Sequence, residues 1–236
     1  LDLSHNQLTD ISVSLTSAIH LSYCDLSYNK LTDAPQGLFR ATKLKTLKLQ
    51  HNQLQDLTGK VMGMLYDLEH LEVQYNQLPR LPSLLYGLKK VQYLDISHNM
   101  IQDLANEEFA SQWSLLKYCD MSYNQIPLIP IAIGNTCEKS LEILYCHHNR
   151  IKELPITISK LKCLKTFTIH HNQLSKTRNV LLLMPWLLHC NLSWNREKVV
   201  MKSFQPERQA LNDEERRFTL FGKELDDYYE KNNPLE

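Results

Sequence analysis

Residues 44–54 read LKTLKLQHNQL, and this pattern decides the fold because it returns along most of the chain. We number positions in each unit from the asparagine of the pattern, so that position −3 is the third residue before it. Near-constant spacing over so many units indicates a repeat, which determines the architecture before any single element is considered. The steps are 23, 23, 24, 23, 25, 25, 23 and 23 residues, between Asn6, Asn29, Asn52, Asn76, Asn99, Asn124, Asn149, Asn172 and Asn195.

The apolar residues of each unit stand at positions −8, −5, −3 and +2, which in the quoted unit are Leu44, Leu47, Leu49 and Leu54. The alternation between −5 and −3 is the period of a β-strand, so these two side chains point to one face and the intervening residue points to the other. One such strand cannot bury its apolar face alone. We therefore expect the units to stack around one continuous core.

The full pattern, L-x-x-L-x-L-x-x-N-x-L, resembles the leucine-rich repeat family over roughly residues 1–195. The resemblance implies an α/β solenoid shaped as a curved horseshoe, with a concave parallel β-sheet and short helices or 3₁₀ turns on the convex side. It also implies a hydrogen-bonded ladder of the repeated asparagines, whose amides satisfy backbone groups at the bend after each strand. We expect about nine units, with the first one truncated, and a separate segment over residues 196–236.

Proline follows the strand at Pro82, Pro130 and Pro155, where it ends strand pairing and starts a turn. The short apolar stretches after these prolines predict short convex helices. The 25-residue unit that contains residues 106–109 is expected to carry a longer helix. The L-P-x-x-I form of several units resembles intracellular leucine-rich repeat proteins more than secreted ones.

Residues 196–236 depart from the repeat and are rich in charge. Asn212 precedes an acidic stretch typical of a helix N-terminus, and the spacing of apolar residues predicts an amphipathic helix over about residues 212–231. This helix either caps the last repeat, as terminal units of solenoids require, or docks on a partner. Its apolar face consists of Phe218, Phe221, Leu225 and Tyr228.

Positions −6 and −4 alternate with the core leucines, so their side chains are expected on the concave face. Tyrosines beside carboxylates, as in Tyr93 and Asp95, indicate an acidic, aromatic surface for a partner that presents basic or aromatic residues. The alternative is a face that is only solvated. The candidate partner-binding residues are Tyr23, Asp25, His70, Glu72, Tyr93, Asp95, Tyr118, Asp120, Tyr145, His147 and His170.

Histidines form a second cluster. His147 and His170 occupy the same position in successive units, so we expect them side by side on neighbouring strands. Two imidazoles without a nearby carboxylate make an incomplete zinc site. Position −1 holds histidine or an aromatic residue in every unit, which favours a stackable polar surface as a feature of the repeat. No metal or cofactor is expected.

Composition and motifs argue against several other classes of protein. Lys+Arg and Asp+Glu both number 26, so no net charge attracts nucleic acid. No apolar run is long enough to span a membrane, and no phosphate-binding loop, nucleophile elbow or zinc-protease motif is present. We therefore expect a non-enzymatic protein. The chain starts inside a repeat and without a methionine, which we interpret as part of a longer protein.

The cysteines favour a reducing compartment. Cys24, Cys119 and Cys190 stand at position −5 and Cys146 at −3, which are core sites, and residues 196–236 contain no cysteine for a disulfide-linked cap. We expect a cytoplasmic interaction scaffold, or a subunit of a larger multi-subunit assembly in signalling or in cytoskeletal or ciliary structures. The alternatives are a regulatory region of a larger enzyme and an extracellular receptor ectodomain.

Overall fold

The computed structural model describes residues 1–11, 15–57, 61–104, 109–175 and 180–195. Within these residues the chain forms one open parallel sheet whose strands follow each other in chain order. Every strand has three residues, and position −5 of one strand pairs with position −5 of the next, as Leu47 pairs with Leu71. The strands are β1 Tyr23–Asp25, β2 Thr46–Lys48, β3 His70–Glu72, β4 Tyr93–Asp95, β5 Tyr118–Asp120, β6 Ile143–Tyr145, β7 Thr166–Thr168 and β8 His189–Asn191.

The core is the stack of apolar positions expected from the repeat. Leu44, Leu47, Leu49 and Leu54 are all 0% exposed, and the equivalent residues of the following units are buried in the same way. Each fully buried leucine contributes about 1.5–3 kcal/mol through removal of apolar surface from water. Since strands of three residues have few hydrogen bonds, this continuous core is the main source of stability. The α/β solenoid predicted from the sequence is confirmed.

Short helices occupy the convex side, where prolines were expected to end strand pairing. Pro35, Pro82, Pro130 and Pro155 each immediately precede one of these helices. Of the helix expected near residues 106–109, residues 105–108 lie outside the described residues. The helices are α1 Val61–Met64, α2 Ile131–Thr136, and the 3₁₀ helices Gln36–Arg40, Ser83–Gly87, Ile156–Lys160 and Leu181–Leu183.

Gly134 allows two neighbouring convex helices to pack closely. A Cβ atom at this position would collide with the backbone carbonyl of Thr157 in the next unit. The Thr157 hydroxyl also donates a 3.0 Å hydrogen bond to the carbonyl of Ile131. The close approach of α2 to the following 3₁₀ helix therefore depends on glycine.

The chain leaves each strand through a left-handed residue at position −1. The φ angles there lie between 49° and 56°, although none of these residues is glycine. Such a conformation costs on the order of 1 kcal/mol and persists only where its surroundings hold it. The residues are His5, Tyr28, His51, Tyr75, His98, Tyr123, His148, His171 and Trp194.

Residues 196–236, with the predicted helix over 212–231 and its apolar face of Phe218, Phe221, Leu225 and Tyr228, lie outside the described residues. The choice between a cap and a docking helix therefore stays a prediction. In the described part of the chain, no helix is long and apolar enough to cross a membrane.

Candidate functional site

The repeated asparagines form a ladder that connects each unit to the one before it. Asn124 Nδ2 donates to the carbonyls of Ile96, Met121 and Ser122 at 3.0, 3.3 and 3.0 Å. Its Oδ1 accepts a hydrogen bond from the backbone N–H of Ile101 at 2.9 Å. This use of both ends of the amide is structural. The same arrangement recurs at Asn29, Asn52, Asn76, Asn99, Asn149, Asn172 and Asn195.

We define the concave face as positions −6, −4 and −2 of the units. The asparagine ladder does not use the side chains of this face, although some of them hydrogen-bond to the backbone at the strand ends. Strand pairing places Glu72 opposite Asp95. The Glu72 carboxylate lies 3.2 Å from Lys48 Nζ and 2.7 Å from His70 Nε2. Burial raises the pKa of Glu72, but the hydrogen bonds from His70 and Lys48 outweigh it and lower that pKa to about 2. Glu72 therefore stays ionised and forms an ion pair with Lys48.

Asp95 and Asp120 lie opposite each other on β4 and β5. Asp95 Oδ1 accepts hydrogen bonds from the backbone N–H and the hydroxyl of Ser97 at 3.0 and 2.7 Å, and Asp120 Oδ1 accepts one from the Ser122 N–H at 2.8 Å. Among the described residues, neither carboxylate forms an ion pair with a lysine or arginine. Burial raises the pKa of Asp95, and burial together with repulsion from Asp95 raises the pKa of Asp120 to about 7.

Aromatic rings stand beside these carboxylates in a tight stack. The centroids of His70 and Tyr93 are 4.1 Å apart, and those of Tyr93 and Tyr118 are 4.3 Å apart with nearly parallel planes. Tyr145 meets Tyr118 edge to face at 5.8 Å. The sequence predicted an aromatic surface for a basic or aromatic partner, and in this surface the stacked rings cover each other's faces. Ring edges and hydroxyl groups are therefore the surface that a partner meets.

Two of the predicted residues lie apart from this surface. Tyr23 and Asp25 are on β1, where the Tyr23 hydroxyl donates a 3.1 Å hydrogen bond to Asp25 Oδ2. The intervening strand β2 carries Thr46 and Lys48 at the equivalent positions. The acidic, aromatic column predicted as one surface is thus interrupted by a threonine and a cation.

The histidine pair lies at the other end of the sheet. His147 and His170 stack with centroids 4.5 Å apart, as their equivalent positions in the repeat predicted. His147 Nδ1 also lies 2.9 Å from the Thr168 hydroxyl, and burial lowers the pKa of His147 to about 2, helped by His170. Across the described residues, no group of three or more His, Cys, Asp or Glu side chains is arranged to hold a metal ion.

The rings at position −1 form a second, longer column along one edge of the concave face. From His5 to His171 successive centroids lie 4.1 to 4.3 Å apart, and Trp194 follows at 5.3 Å. Tyr75, His98, Tyr123 and His148 line an open groove there. The rings occupy one position of successive stacked units and share one backbone conformation, so they recur at a regular spacing.

Gln50 and Gln74, at position −2 of two neighbouring units, are site residues that the sequence analysis did not identify. Their Oε1 atoms are buried and have no hydrogen-bond partner among the described residues. Gln74 Nε2 donates a weak 3.3 Å hydrogen bond to Glu72 Oε2. The strand alternation that selected positions −6 and −4 extends to −2, so the same alternation could have identified both glutamines.

Comparison with known families agrees with this geometry. A leucine-rich repeat model matches residues 19–78 and 42–101, and a model of two leucine-rich repeat copies matches residues 139–181. The chain belongs to the leucine-rich repeat family. No curated protein matches it closely enough to be reported as a relative.

Solved structures share the fold. A leucine-rich repeat protein of Leptospira interrogans superposes with a TM-score of 0.77 at 29% identity, over 83% of this chain and 48% of that one. An internalin (InlF) of Listeria monocytogenes gives 0.71 at 24% identity, over 80% and 53%. The ectodomain of the plant membrane receptor kinase GASSHO1/SCHENGEN3 of Arabidopsis thaliana, in complex with CASPARIAN STRIP INTEGRITY FACTOR 2, gives 0.73 at 27% identity, over 83% and 24%. The chain thus spans about half or less of these proteins.

Proposed function

We propose that this chain is a non-enzymatic scaffold that binds a basic segment of a protein partner on the concave face of β3–β5. Leucine-rich repeat domains generally mediate protein–protein interactions. One of the structural neighbours, the plant ectodomain, is itself held in a complex with another molecule.

The uncompensated pair Asp95 and Asp120 is the observation that carries the proposal. Charges on neighbouring strands with no cation destabilise a sheet, and burial makes this cost larger. Lys48 is the one cation at the concave positions of the sequence, and Glu72 occupies it at 3.2 Å. A lysine or arginine from a partner would supply the missing charge and would gain from the low-dielectric surroundings.

The surrounding groups support the same face. Tyr93 and Tyr118 form a rigid stack beside the carboxylates, and tyrosine is a frequent interface anchor because it has few rotatable bonds. Tyr145, His147 and His170 continue the ring-rich surface toward β6 and β7. A partner with a basic part and an aromatic or polar part therefore complements the face better than a uniformly basic one.

We also propose a cytoplasmic location and membership of a multi-subunit assembly, with a cytoskeletal or ciliary one as the narrower hypothesis. The six cysteines are free, and five of them are buried, which supports a reducing compartment. The predicted helix over residues 212–231 remains a second candidate contact, or a cap.

The test is quantitative capture of partners by the full chain. Asp95→Asn/Asp120→Asn removes both charges, and the chain already holds asparagine at this strand position: Asn191 Oδ1 accepts the Ser193 N–H at 3.0 Å. Since uncompensated charges are removed, we expect partner affinity to fall by about tenfold or more. Asp25→Asn, at the same position on β1, is the matched control and should retain binding. Equal capture of partners by the unmodified chain, Asp95→Asn/Asp120→Asn and Asp25→Asn would reject this face.

A further inference from the structure

Hydrogen-bond acceptors outnumber donors on one strip of the concave face. We define the acceptor strip as Gln50, Glu72, Gln74, Asp95 and Asp120, which lie at positions −4 and −2 of the units around β2–β5. Their contacts divide them into two groups. Glu72 is satisfied by Lys48 and His70, whereas the other four retain acceptor capacity.

The glutamines provide an observation that is independent of the charges. Gln50 is 9% exposed, and its Oε1 has no hydrogen-bond partner among the described residues; the Oε1 of Gln74 is in the same state. Buried amide oxygens without a donor are rare, because leaving one unmade costs most of its desolvation penalty. Two of them on neighbouring strands of one face indicate that a donor is missing there.

The carboxylates add to this surplus. An ionised carboxylate offers about four acceptor sites. Within the described part of the chain, both hydrogen bonds to Asp95 come from Ser97 and go to Oδ1. Asp120 Oδ1 accepts a hydrogen bond from the Ser122 N–H. Both carboxylates therefore accept further donors without losing the bonds that hold the strand ends.

We propose that the acceptor strip is an arginine-binding site that discriminates against lysine. A guanidinium carries five N–H donors in a planar fork and no acceptor, so it matches a strip of carboxylates and amide oxygens. An ammonium brings three donors on a compact, strongly hydrated charge, and it satisfies the carboxylates but not the separated amides. This inference rests on the proposed function, because it specifies the basic residue that the same face takes from its partner.

The spacing predicts two arginine positions. One guanidinium bridges Asp95 and Asp120. A second lies beside Glu72 and binds Gln50 and Gln74 after these side chains turn to expose their buried Oε1 atoms. Neighbouring strands are about 4.8 Å apart, and positions −4 and −2 lie about 6.6 Å apart along the chain, so the two arginine positions are separated by roughly 12 Å. In an extended segment alternate residues share one face, which lets arginines two residues apart reach both positions.

Three synthetic peptides test the discrimination: Ac-Arg-Gly-Arg-Gly-Arg-NH₂ and its counterparts with lysine or with neutral citrulline in place of arginine. Binding to the full chain is followed by NMR, using the side-chain amide signals of Gln50 and Gln74 and the backbone signals of β3–β5. We expect the arginine peptide to bind about fivefold more tightly than the lysine peptide, and the citrulline peptide not to bind. The glutamine amide signals should move only with the arginine peptide.

Matched variants separate the two parts of the proposal. Gln50→Ser/Gln74→Ser introduces the residue that this chain has at position −2 in other units, at Ser27 and Ser97, so the fold should be retained. It should lower arginine affinity to the lysine level and leave lysine affinity unchanged. Asp95→Asn/Asp120→Asn should weaken both basic peptides.

The outcomes distinguish the two proposals. Equal binding of the arginine and lysine peptides would overturn the arginine site and leave the basic-partner proposal standing. Arginine preference that survives Gln50→Ser/Gln74→Ser would overturn the role of the glutamines. Absence of binding by either basic peptide up to about 10 mM would overturn the acceptor strip as a site, while the capture experiment decides separately whether the concave face binds a protein.

Discussion

Strands β3–β5 and strands β6–β8 come from the same repeat, yet their concave faces differ in chemistry. At position −4 the first group carries Glu72, Asp95 and Asp120, and the second carries Tyr145, Thr168 and Asn191. Behind them the core and the asparagine ladder are alike in both groups. The repeat therefore constrains the inward positions and the bend, and it leaves the concave positions free to acquire a specific surface.

The largest effect should come from the feature that both groups share. Asn124→Ala, behind the acidic strands, and Asn172→Ala, behind the uncharged ones, each leave a buried N–H and buried carbonyls without partners. We expect each to lower the free energy of unfolding by about 3 kcal/mol, as measured by urea denaturation. Asn6→Ala is the control: Asn6 is exposed, and its hydrogen bonds within the described ranges go to the carbonyls of Leu3 and Ser4, so its loss should cost less than about 1 kcal/mol. Clearly unequal costs at Asn124 and Asn172 would show that the two groups differ behind the concave face as well.

The next largest effect, a pH dependence of stability, should be found in strands β3–β5 and not in strands β6–β8. The pKa of Asp120 is raised to about 7 in the folded chain, above its ordinary value of 3.8, so the native state binds this proton more tightly than the unfolded chain. The resulting cost is therefore absent near pH 4, grows as the pH rises, and is complete above pH 7. Asp120→Asn should raise the free energy of unfolding at pH 8 by about 2 kcal/mol.

Urea denaturation of Asp120→Asn at pH 5 and pH 8 checks this expectation, because the gain must shrink toward the lower pH. Asp25→Asn, which loses the hydrogen bond from the Tyr23 hydroxyl, should give no gain at either pH. If Asp120→Asn stabilised the fold equally at both pH values, the ionised form of Asp120 would not be what destabilises the folded chain.

The smallest effect concerns binding near neutral pH. A guanidinium favours the ionised form of Asp120, so affinity for the arginine peptide should fall by roughly tenfold between pH 8 and pH 6. His147, whose pKa burial lowers to about 2, stays neutral over this range and contributes nothing. The dependence should disappear in Asp120→Asn. An unchanged pH profile in that variant would assign the proton to another group.

Features that depend on periodicity were predictable from the sequence, and features that depend on side-chain reach were not. The burial of Leu47 and Leu94 and the stacking of His147 on His170 follow from equivalent positions in successive units. The pairing of Lys48 with Glu72 depends instead on where a long, flexible side chain settles, and no other lysine or arginine that the structure describes pairs with Asp95.

The stacked rings and the left-handed residue at position −1 also combine a feature that periodicity predicts with one that it does not. The sequence predicted that position −1 is stackable, but the left-handed backbone at Tyr75 and its neighbours depends on local geometry that sequence spacing does not encode. The alternation of the strand located Tyr93 and Tyr118, whereas the covering of one ring face by the other needs coordinates. The helix predicted over residues 212–231 stays a prediction.

The asparagine ladder has a direction, and this direction affects how the molecule is made. Asn124 binds Ile96 and Ile101 of the preceding unit, so the bend of one coil is completed by an amide that belongs to its successor. A ribosome synthesises the chain from its N-terminus. The backbone N–H and C=O groups of a newly emerged coil therefore lack their hydrogen-bond partners while the asparagine of the next coil is still in the exit tunnel. During translation, we therefore expect each coil to complete its hydrogen bonds only after the next coil has emerged from the exit tunnel.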